Sequence, residues 1–251
     1  MSRWIELDGT VNTRDLGGLP RPGGAITAYG VVLRSDNLQD LSTDDVARLV
    51  DELGLTTVVD LRTPVEIEGE GPGPLRERPE VAHVELDLIP DYDPTQPRRD
   101  IVEQAVPDEE QWRGRLAEFY LSYLRDRPDN VVAALRAITD SKGAVLVHCA
   151  AGKDRTGVVC ALALSLVGVP AEVIVDDYVE TAERVPAIRE RLTASPTYAA
   201  DLEHRTVDDM LPHAESMRRF LEQVPGGVQE WARAHGFGDE DVAALRSRLT
   251  A

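Results

Sequence analysis

The sequence predicts an α/β fold, with a central, mainly parallel sheet flanked by helices and a helical C-terminal half. Three observations lead there. Short apolar or β-branched runs at 31–34, 56–61, 81–88 and 144–147 have the length and composition of strands. Longer segments with apolar residues at helical spacing separate most of them. From residue 108 onward the helical segments outnumber the strands.

The elements follow in order. Residues 1–30 are rich in Gly and Pro and read as loops with short strands. The run 31–34 is a short strand, ended by Ser35, Asp36 and Asn37. Ser42 caps a helix over 43–53, with Asp44 and Asp45 in the first turn, where negative charge is favoured, and Gly54 as its stop. The run 56–61 is a buried strand. Residues 69–80 carry the Pro and Gly of a surface loop, and 81–88 alternates as a strand does. A Pro- and Asp-rich loop fills 90–107, a length that in compact domains marks function or disorder.

Helices are predicted over 108–127 and 128–140. The first opens on Asp108, Glu109 and Glu110 and places Trp112, Leu116, Phe119, Tyr120, Tyr123 and Leu124 on one stripe. The strand 144–147 runs through a loop into a helix over 155–167. Helices continue over 171–183 and 185–194, a polar stretch at 195–206 follows, and then helices over 207–224, 228–234 and 239–249. There is no internal repeat, and residues 1–251 read as a single domain.

Composition narrows the function. Hydrophobic residues make up 42% and charged residues 29%, the ordinary globular range. The net charge of −18 repels DNA, RNA and anionic lipid, and 5% aromatic residues supply little stacking surface, so no nucleic-acid partner is expected. The longest apolar run, 158–169, is interrupted by Ser165 and Gly168 and is too short to cross a bilayer. No basic start precedes an apolar run, so the expectation is a soluble, cytoplasmic protein without stable membrane insertion; export by a non-classical route would leave no such mark. Two cysteines, Cys149 and Cys160, make no disulfide framework. An anionic substrate must be held against the global field by a dense local cluster of donors.

Residues 147–157 supply that cluster: Val147, His148, Cys149, Ala150, Ala151, Gly152, Lys153, Asp154, Arg155, Thr156 and Gly157. A strand ends, a Gly-containing turn follows, and a helix opens, presenting unpaired N–H groups and a positive dipole end. The seven residues Cys149 to Arg155 are enough to wrap one tetrahedral anion, so the backbone of Ala150, Ala151, Gly152, Lys153 and Asp154 is expected to bind phosphate. Arg155 closes the loop with a planar fork for two oxygens. Cys149 opens it, and a thiolate, the competent nucleophile, is favoured at the positive end of a helix. Thr156 can donate to that sulfur, and His148 can brace the loop. The implied chemistry is phosphoryl transfer through a cysteinyl-phosphate, hydrolysed by water. It calls for no metal and no cofactor, because Arg155 and the loop amides carry the charge stabilisation. Cys149 as a plain core residue is disfavoured by the Gly, Lys, Asp, Arg and Thr behind it, whereas Cys160, on an apolar stretch, reads as core packing.

His-Cys, five residues and Arg resembles the signature of the protein tyrosine phosphatase superfamily, and the run from Cys149 to Gly157 resembles its bacterial tyrosine/serine phosphatase family. Asn12 to Gly18, Leu33 to Asp36 and Val59 to Arg62 are similar to that family's flanking motifs, and 226–249 to its closing helices. The resemblance implies a cysteine-phosphatase fold. It also implies hydrolysis of phosphomonoesters on phosphotyrosine, with phosphoserine, phosphothreonine and phosphoinositides as further substrates. The partners are then a phosphorylated protein, a phosphoinositide or a small phosphomonoester.

The narrower family implies Asp154 as the general acid, its proton retained by the like charge of bound phosphate; the alternative is that Asp154 only fixes the loop. The superfamily instead places the acid on an upstream loop, implying Asp91 or Asp87. Lys153 either takes a second anionic group or is a solvated cation. The helices over 171–215, with Tyr178, Tyr198 and Met210, either form a lid or are core helices. Asp60 with Arg62, and Arg14 with Asp15, read as structural ion pairs. Three other functions stay in view: a small-molecule phosphatase of a biosynthetic pathway, a non-catalytic phosphate-binding module, and a sulfur transferase of rhodanese type. The five-residue spacing to Arg155 counts against the last.

Overall fold

The computed structural model describes residues 2–89 and 109–250, except for the side chains of 109–114. The strands are β1 (Arg14–Asp15), β2 (Val32–Ser35), β3 (Leu55–Asp60), β4 (Ala82–Glu85) and β5 (Ala144–His148). They form one sheet in the order β1-β2-β5-β3-β4, antiparallel at β1–β2 and parallel elsewhere. The helices are α1 (Thr43–Ala47), α2 (Pro64–Glu70), α3 (Glu109–Asp126), α4 (Pro128–Asp140), α5 (Asp154–Leu166), α6 (Ala171–Glu180), α7 (Val185–Ala194), α8 (Pro196–Leu202), α9 (Ala214–Gln223), α10 (Val228–Ala234) and α11 (Asp239–Leu249). The α/β class, the mainly parallel sheet and the helical second half are therefore as the sequence predicts.

Side-chain alternation along the strands builds two cores. Leu33, Val58 and Leu146 point to one face and pack with Leu38, Leu49 and Leu75. Val32, Val59, Val145 and Val147 point to the other, against Tyr120, Leu135, Leu162, Ile174, Phe220 and Trp231 from the helical layer. α5 is apolar on nearly every side and correspondingly buried.

Several boundaries differ from expectation. The helix over 43–53 is α1 followed by one wider, π-type turn at Arg48–Glu52. The surface loop at 69–80 starts inside α2, which begins on a capping box: Thr63 Oγ1 accepts from Glu66 N at 3.2 Å, and Glu66 Oε2 accepts from Thr63 N at 2.8 Å. Pro64 at the first helical position suits the cap. The polar stretch 195–206 holds α8, capped by Ser195 and buried through Tyr198 and Leu202. The helix over 207–224 is instead a short 3-10 turn at Asp208–Met210 and then α9, because Pro212 forces Leu211 into an extended conformation. The expected loop 90–107, and Asp91 within it, lie outside the described residues.

Parallel pairing brings three strand ends together. Asp60 stands beside His148, and Ser35 stands on the other side of His148. The loops leaving the carboxyl ends of β2, β3 and β5 thus share one edge, where open α/β sheets bind ligands.

One buried carboxylate ties this edge to the helical layer. Asp177 on α6 accepts from Arg34 Nη1 at 2.7 Å, Arg14 Nε at 3.2 Å and Arg3 Nη1 at 2.7 Å, and both Arg14 and Arg34 are fully buried. Arg14 is therefore a structural ion-pair residue as expected, but with Asp177, while Asp15 accepts from the backbone N–H groups of Gly17 and Gly30. Burial alone would push the Asp177 carboxyl up; the three guanidinium groups outweigh it and hold it well below the usual carboxylate range. Removing one member of such a cluster leaves buried charge uncompensated. Asp177→Asn should lower unfolding free energy at pH 7 by about 3–5 kcal/mol, read from urea midpoints. A depressed carboxyl stabilises above its unfolded value, near pH 4, and that contribution is lost as the pH falls toward the folded value. The gap between wild type and Asp177→Asn should therefore narrow below about pH 4; a gap that widens there would contradict the assignment.

Candidate active site

The loop from Cys149 to Arg155 is shaped by what holds its carbonyls. The Ala150 carbonyl accepts from Asn37 N at 3.0 Å, that of Ala151 from Asn12 Nδ2 at 2.9 Å, and that of Gly152 from Arg34 Nη2 at 2.8 Å. In a planar trans peptide the C=O and the next N–H point in opposite directions. Turning three carbonyls toward the β1–β2 side therefore turns the N–H groups of Ala151, Gly152 and Lys153 the other way, into the loop. Gly152 makes the turn with φ +64°, and a Cβ there would lie 2.4 Å from the Ser35 carbonyl oxygen. The loop ends in α5, whose N-terminus adds its dipole.

Arg155 is fixed from the far side. Its Nη1 and Nη2 donate to Glu66 Oε2 and Oε1 at 2.7 and 2.8 Å, and Nη1 also reaches the Leu61 carbonyl at 3.2 Å. The fork is thus held in a plane by the carboxylate that caps α2. Cys149 is 2% exposed and Arg155 4%. The His148 ring lies between the Cys149 carbonyl, 3.3 Å from Nδ1, and Asp60 Oδ2, 3.5 Å from Nε2. Asp60 in turn pairs with Arg62 at 2.6 Å, the structural pair the sequence suggests, and Arg62 Nη1 donates to Asn37 Oδ1 at 2.8 Å. Thr156 Oγ1 is buried and makes no hydrogen bond among the described residues, a condition that calls for an explanation. Cys160 is a buried core thiol, pushed up to about 11 by burial.

Lys153 and Asp154 face each other. Lys153 Nζ donates to Asp154 Oδ1 at 2.9 Å, and Tyr120 Oη donates to the same oxygen at 2.5 Å. Lys153 is buried, so it is not a solvated cation. Burial alone would raise the Asp154 carboxyl, but the Lys153 ammonium and the hydrogen bonds from Lys153 and Tyr120 outweigh it and hold the carboxyl below its ordinary value. Asp87 behaves oppositely: burial pushes it up, against the pull of the Ile89 amide, Arg127 and Arg155. It accepts from Ile89 N at 2.7 Å, and the Asn130 side chain donates to its carbonyl at 2.7 Å.

A family model for the tyrosine phosphatase family matches residues 5–251. The chain belongs to the tyrosine phosphatase family. It is 32% identical over 286 aligned positions to the triple specificity protein phosphatase PtpB of Mycobacterium tuberculosis, covering 97% of this chain and 98% of that protein. A tyrosine-protein phosphatase of Nostoc commune is 32% identical over 143 positions, 53% of this chain and 49% of that protein. The chain is thus a phosphatase, a hydrolase of phosphoric monoesters that acts on phosphorylated substrates. No helix among the described residues is long and apolar enough to cross a membrane, and no cluster of His, Cys, Asp or Glu among them could hold a metal ion.

Over the phosphatase loop sits an apolar cover. Ala150 packs with Val185, Ile188 and Leu192 of α7, Tyr198 and Leu202 of α8, and Met210. Arg191 of α7 pairs with Asp36 and, at 2.9 Å, with Asp40, while Ser195 donates to Glu70 of α2. Tyr178 is not part of this cover. It packs beside Gly157, where an added Cβ would come within 3.1 Å of its ring. A cavity of about 320 Å³ opens on the opposite face of the sheet, lined by Asp60, Arg62, His83 and His148. Neither Cys149 nor Arg155 lines it.

Among the residues that sequence reasoning missed is Glu66. Its pairing with Arg155 spans 89 positions and leaves no local trace, although Thr63 and Glu66 at capping-box spacing mark the helix that presents it. Glu66→Gln keeps an acceptor for the cap but removes the charge that planes the Arg155 fork. It should lower kcat/KM for an aryl phosphate by roughly 10- to 100-fold, about 1.4–2.7 kcal/mol of transition-state stabilisation, with an unchanged far-ultraviolet circular dichroism spectrum. Full activity in this variant would show that Arg155 does not need the anchor.

Proposed function

We propose that the chain hydrolyses phosphomonoesters through a cysteinyl-phosphate, with phosphotyrosine as the principal substrate class. The observation that carries this is the loop from Cys149 to Arg155, its carbonyls tied outward and its guanidinium held by Glu66 at the N-terminus of α5. The amides of Ala150 to Arg155 and the Arg155 fork hold the three non-bridging oxygens. The Cys149 thiolate forms the S–P bond as the P–O bond to the leaving group breaks. Asp154 gives its proton to the departing oxygen. Water then attacks phosphorus, Asp154 takes a proton from it, and the S–P bond breaks to return the thiolate. Thr156, whose buried hydroxyl has no other partner among the described residues, donates to the leaving sulfur. His148 braces the loop through the Cys149 carbonyl.

Substrate has to enter beneath the cover formed by α7, α8 and Met210, so these helices act as a lid. Phosphoserine, phosphothreonine and phosphoinositides are further substrates on this account; the mycobacterial relative is named a triple specificity protein phosphatase. Lys153 would meet a second anionic group by exchanging its bond to Asp154 for one to the ligand. The upward shift of Asp87, and the reach of its charge to Arg155, favour one alternative, in which Asp87 is the acid.

Hydrolysis of para-nitrophenyl phosphate with EDTA present tests the mechanism. Wild type should turn over, and Cys149→Ser should lose at least about 10⁴-fold in kcat. Retained activity in Cys149→Ser would end the cysteinyl-phosphate account. On an alkyl phosphate, whose leaving group needs a proton, Asp154→Asn should lose far more than on the nitrophenyl ester. If Asp87→Asn shows that pattern instead, the acid is Asp87.

A further inference from the structure

Tyr120 is fully buried in the middle of α3, on an apolar stripe where Phe would fill the same space. Its ring meets Phe220 and Tyr178 edge to face, at centroid distances of 6.1 and 6.3 Å. The hydroxyl nevertheless leaves the core and reaches the phosphatase loop. An ionised carboxylate only accepts, so Tyr120 donates to Asp154 Oδ1, and the Tyr178 hydroxyl, 2.7 Å away, donates to Tyr120. Gly157 makes this chain possible, since it lets the Tyr178 ring approach α5.

The asymmetry at Asp154 is the informative feature. Among the described residues its side chain accepts two hydrogen bonds, from Tyr120 and from Lys153 Nζ, and both converge on Oδ1. A proton on Oδ1 would have to displace one of these donors. Oδ2 receives neither, and about 30% of the side chain is exposed.

We propose that Tyr120 is a positioning residue for proton transfer: with Lys153 it anchors Asp154 through Oδ1, so that the proton is carried on Oδ2 and passed from there to the leaving group, while Tyr178 orients the Tyr120 hydroxyl. The inference rests on Asp154 as the general acid. In the transfer the Oδ2–H bond breaks and the leaving oxygen gains the proton. The resulting carboxylate then places its charge where Lys153 and Tyr120 already donate.

Among the described residues, the charged and titratable groups that face Asp154 are Lys153 on the loop, Tyr120 on α3, Tyr178 behind it on α6, and Arg205 after α8. Burial and the Asp154 charge push Tyr120 well above its ordinary value, so it remains a hydroxyl donor throughout the working range. A donor to the carboxylate favours the charged form, and its removal lets Asp154 keep its proton to higher pH.

The test compares Tyr120→Phe, Asp154→Asn and wild type on para-nitrophenyl phosphate and on an alkyl phosphate, as kcat against pH. Tyr120→Phe should lose roughly tenfold in kcat on the alkyl phosphate and less than about threefold on the nitrophenyl ester. The alkaline limb of its alkyl-phosphate profile should move up by about 1–2 pH units, the worth of one hydrogen bond to a charged group. Equal losses on both substrates, or an unmoved limb, would overturn the proposal, because a purely structural role lowers rates without moving a limb. If Asp154→Asn shows no leaving-group dependence, the acid assignment fails and the role of Tyr120 falls with it. If Asp154→Asn behaves as expected while the Tyr120→Phe limb stays fixed, only the role of Tyr120 fails. Should Tyr120→Phe not fold, Tyr178→Phe serves in its place, with a smaller shift in the same direction expected and no shift overturning the proposal.

Discussion

The phosphatase loop concentrates positive charge in a protein whose net charge is −18, and it does so where water is largely excluded. Buried cations are tolerated only when each has a carboxylate in good geometry. Around this loop each cation meets a carboxylate: Arg155 with Glu66, Lys153 with Asp154, Arg62 with Asp60, and Arg34 with Asp177, which Arg14 and Arg3 share. Glu66 and Asp177 sit behind the groups they neutralise, on α2 and α6. The positive field therefore survives at the loop while the core bears no isolated charge.

The same pairs position the site because each links two layers. Arg34 takes one Asp177 oxygen with Nη1 and the Gly152 carbonyl with Nη2, so α6 and the loop share one guanidinium. Arg62 joins Asp60 at the end of β3 to Asn37 after β2, and the Asn37 amide holds the Ala150 carbonyl. Displacing α6 or the end of β3 would rotate a peptide of the loop from Cys149 to Arg155. Loop geometry and global stability are thus carried by the same hydrogen bonds, which keeps seven residues of irregular backbone in one shape.

Much of this was legible in the residues themselves. The strand runs, the Ser42 cap and the Cys-to-Arg spacing are local signals, and local signals survive in a single sequence. α2 was hidden because Gly69, Gly71, Pro72 and Gly73 pull the composition toward a loop, although the Thr63–Glu66 capping box stands just upstream. α8 was hidden by the polar residues around it, and its burial comes from tertiary contact with α2 and the loop. Glu66, Asp177 and the Tyr120 hydroxyl could not be assigned from spacing. Each acts on a partner 34 to 143 positions away, and only the fold sets those distances.

The charge on Asp154 completes the account. Without ligand, Lys153 and Tyr120 hold it as a carboxylate, which cannot donate. A phosphate dianion arriving within about 4 Å would oppose that carboxylate by roughly 4 kcal/mol per unit charge at an effective dielectric of 20. That is about three units of pKa for each charge, set against the Lys153 ammonium and two hydrogen bonds of about 1.5–3 kcal/mol each, so the balance turns to protonation when Lys153 exchanges its bond to Asp154 for one to the ligand. On the proposed mechanism the substrate's own charge therefore moves the proton onto Asp154, and the acid is armed only when there is a phosphate to cleave. Once the phosphoryl group has passed to Cys149, the leaving oxygen has taken the proton and Asp154 is a carboxylate again, the form needed to activate water. The buried donors on Oδ1 favour that second state by their charge, while in the first they fix Asp154 so that Oδ2 faces the leaving oxygen, so Lys153 and Tyr120 would act in both halves of the cycle.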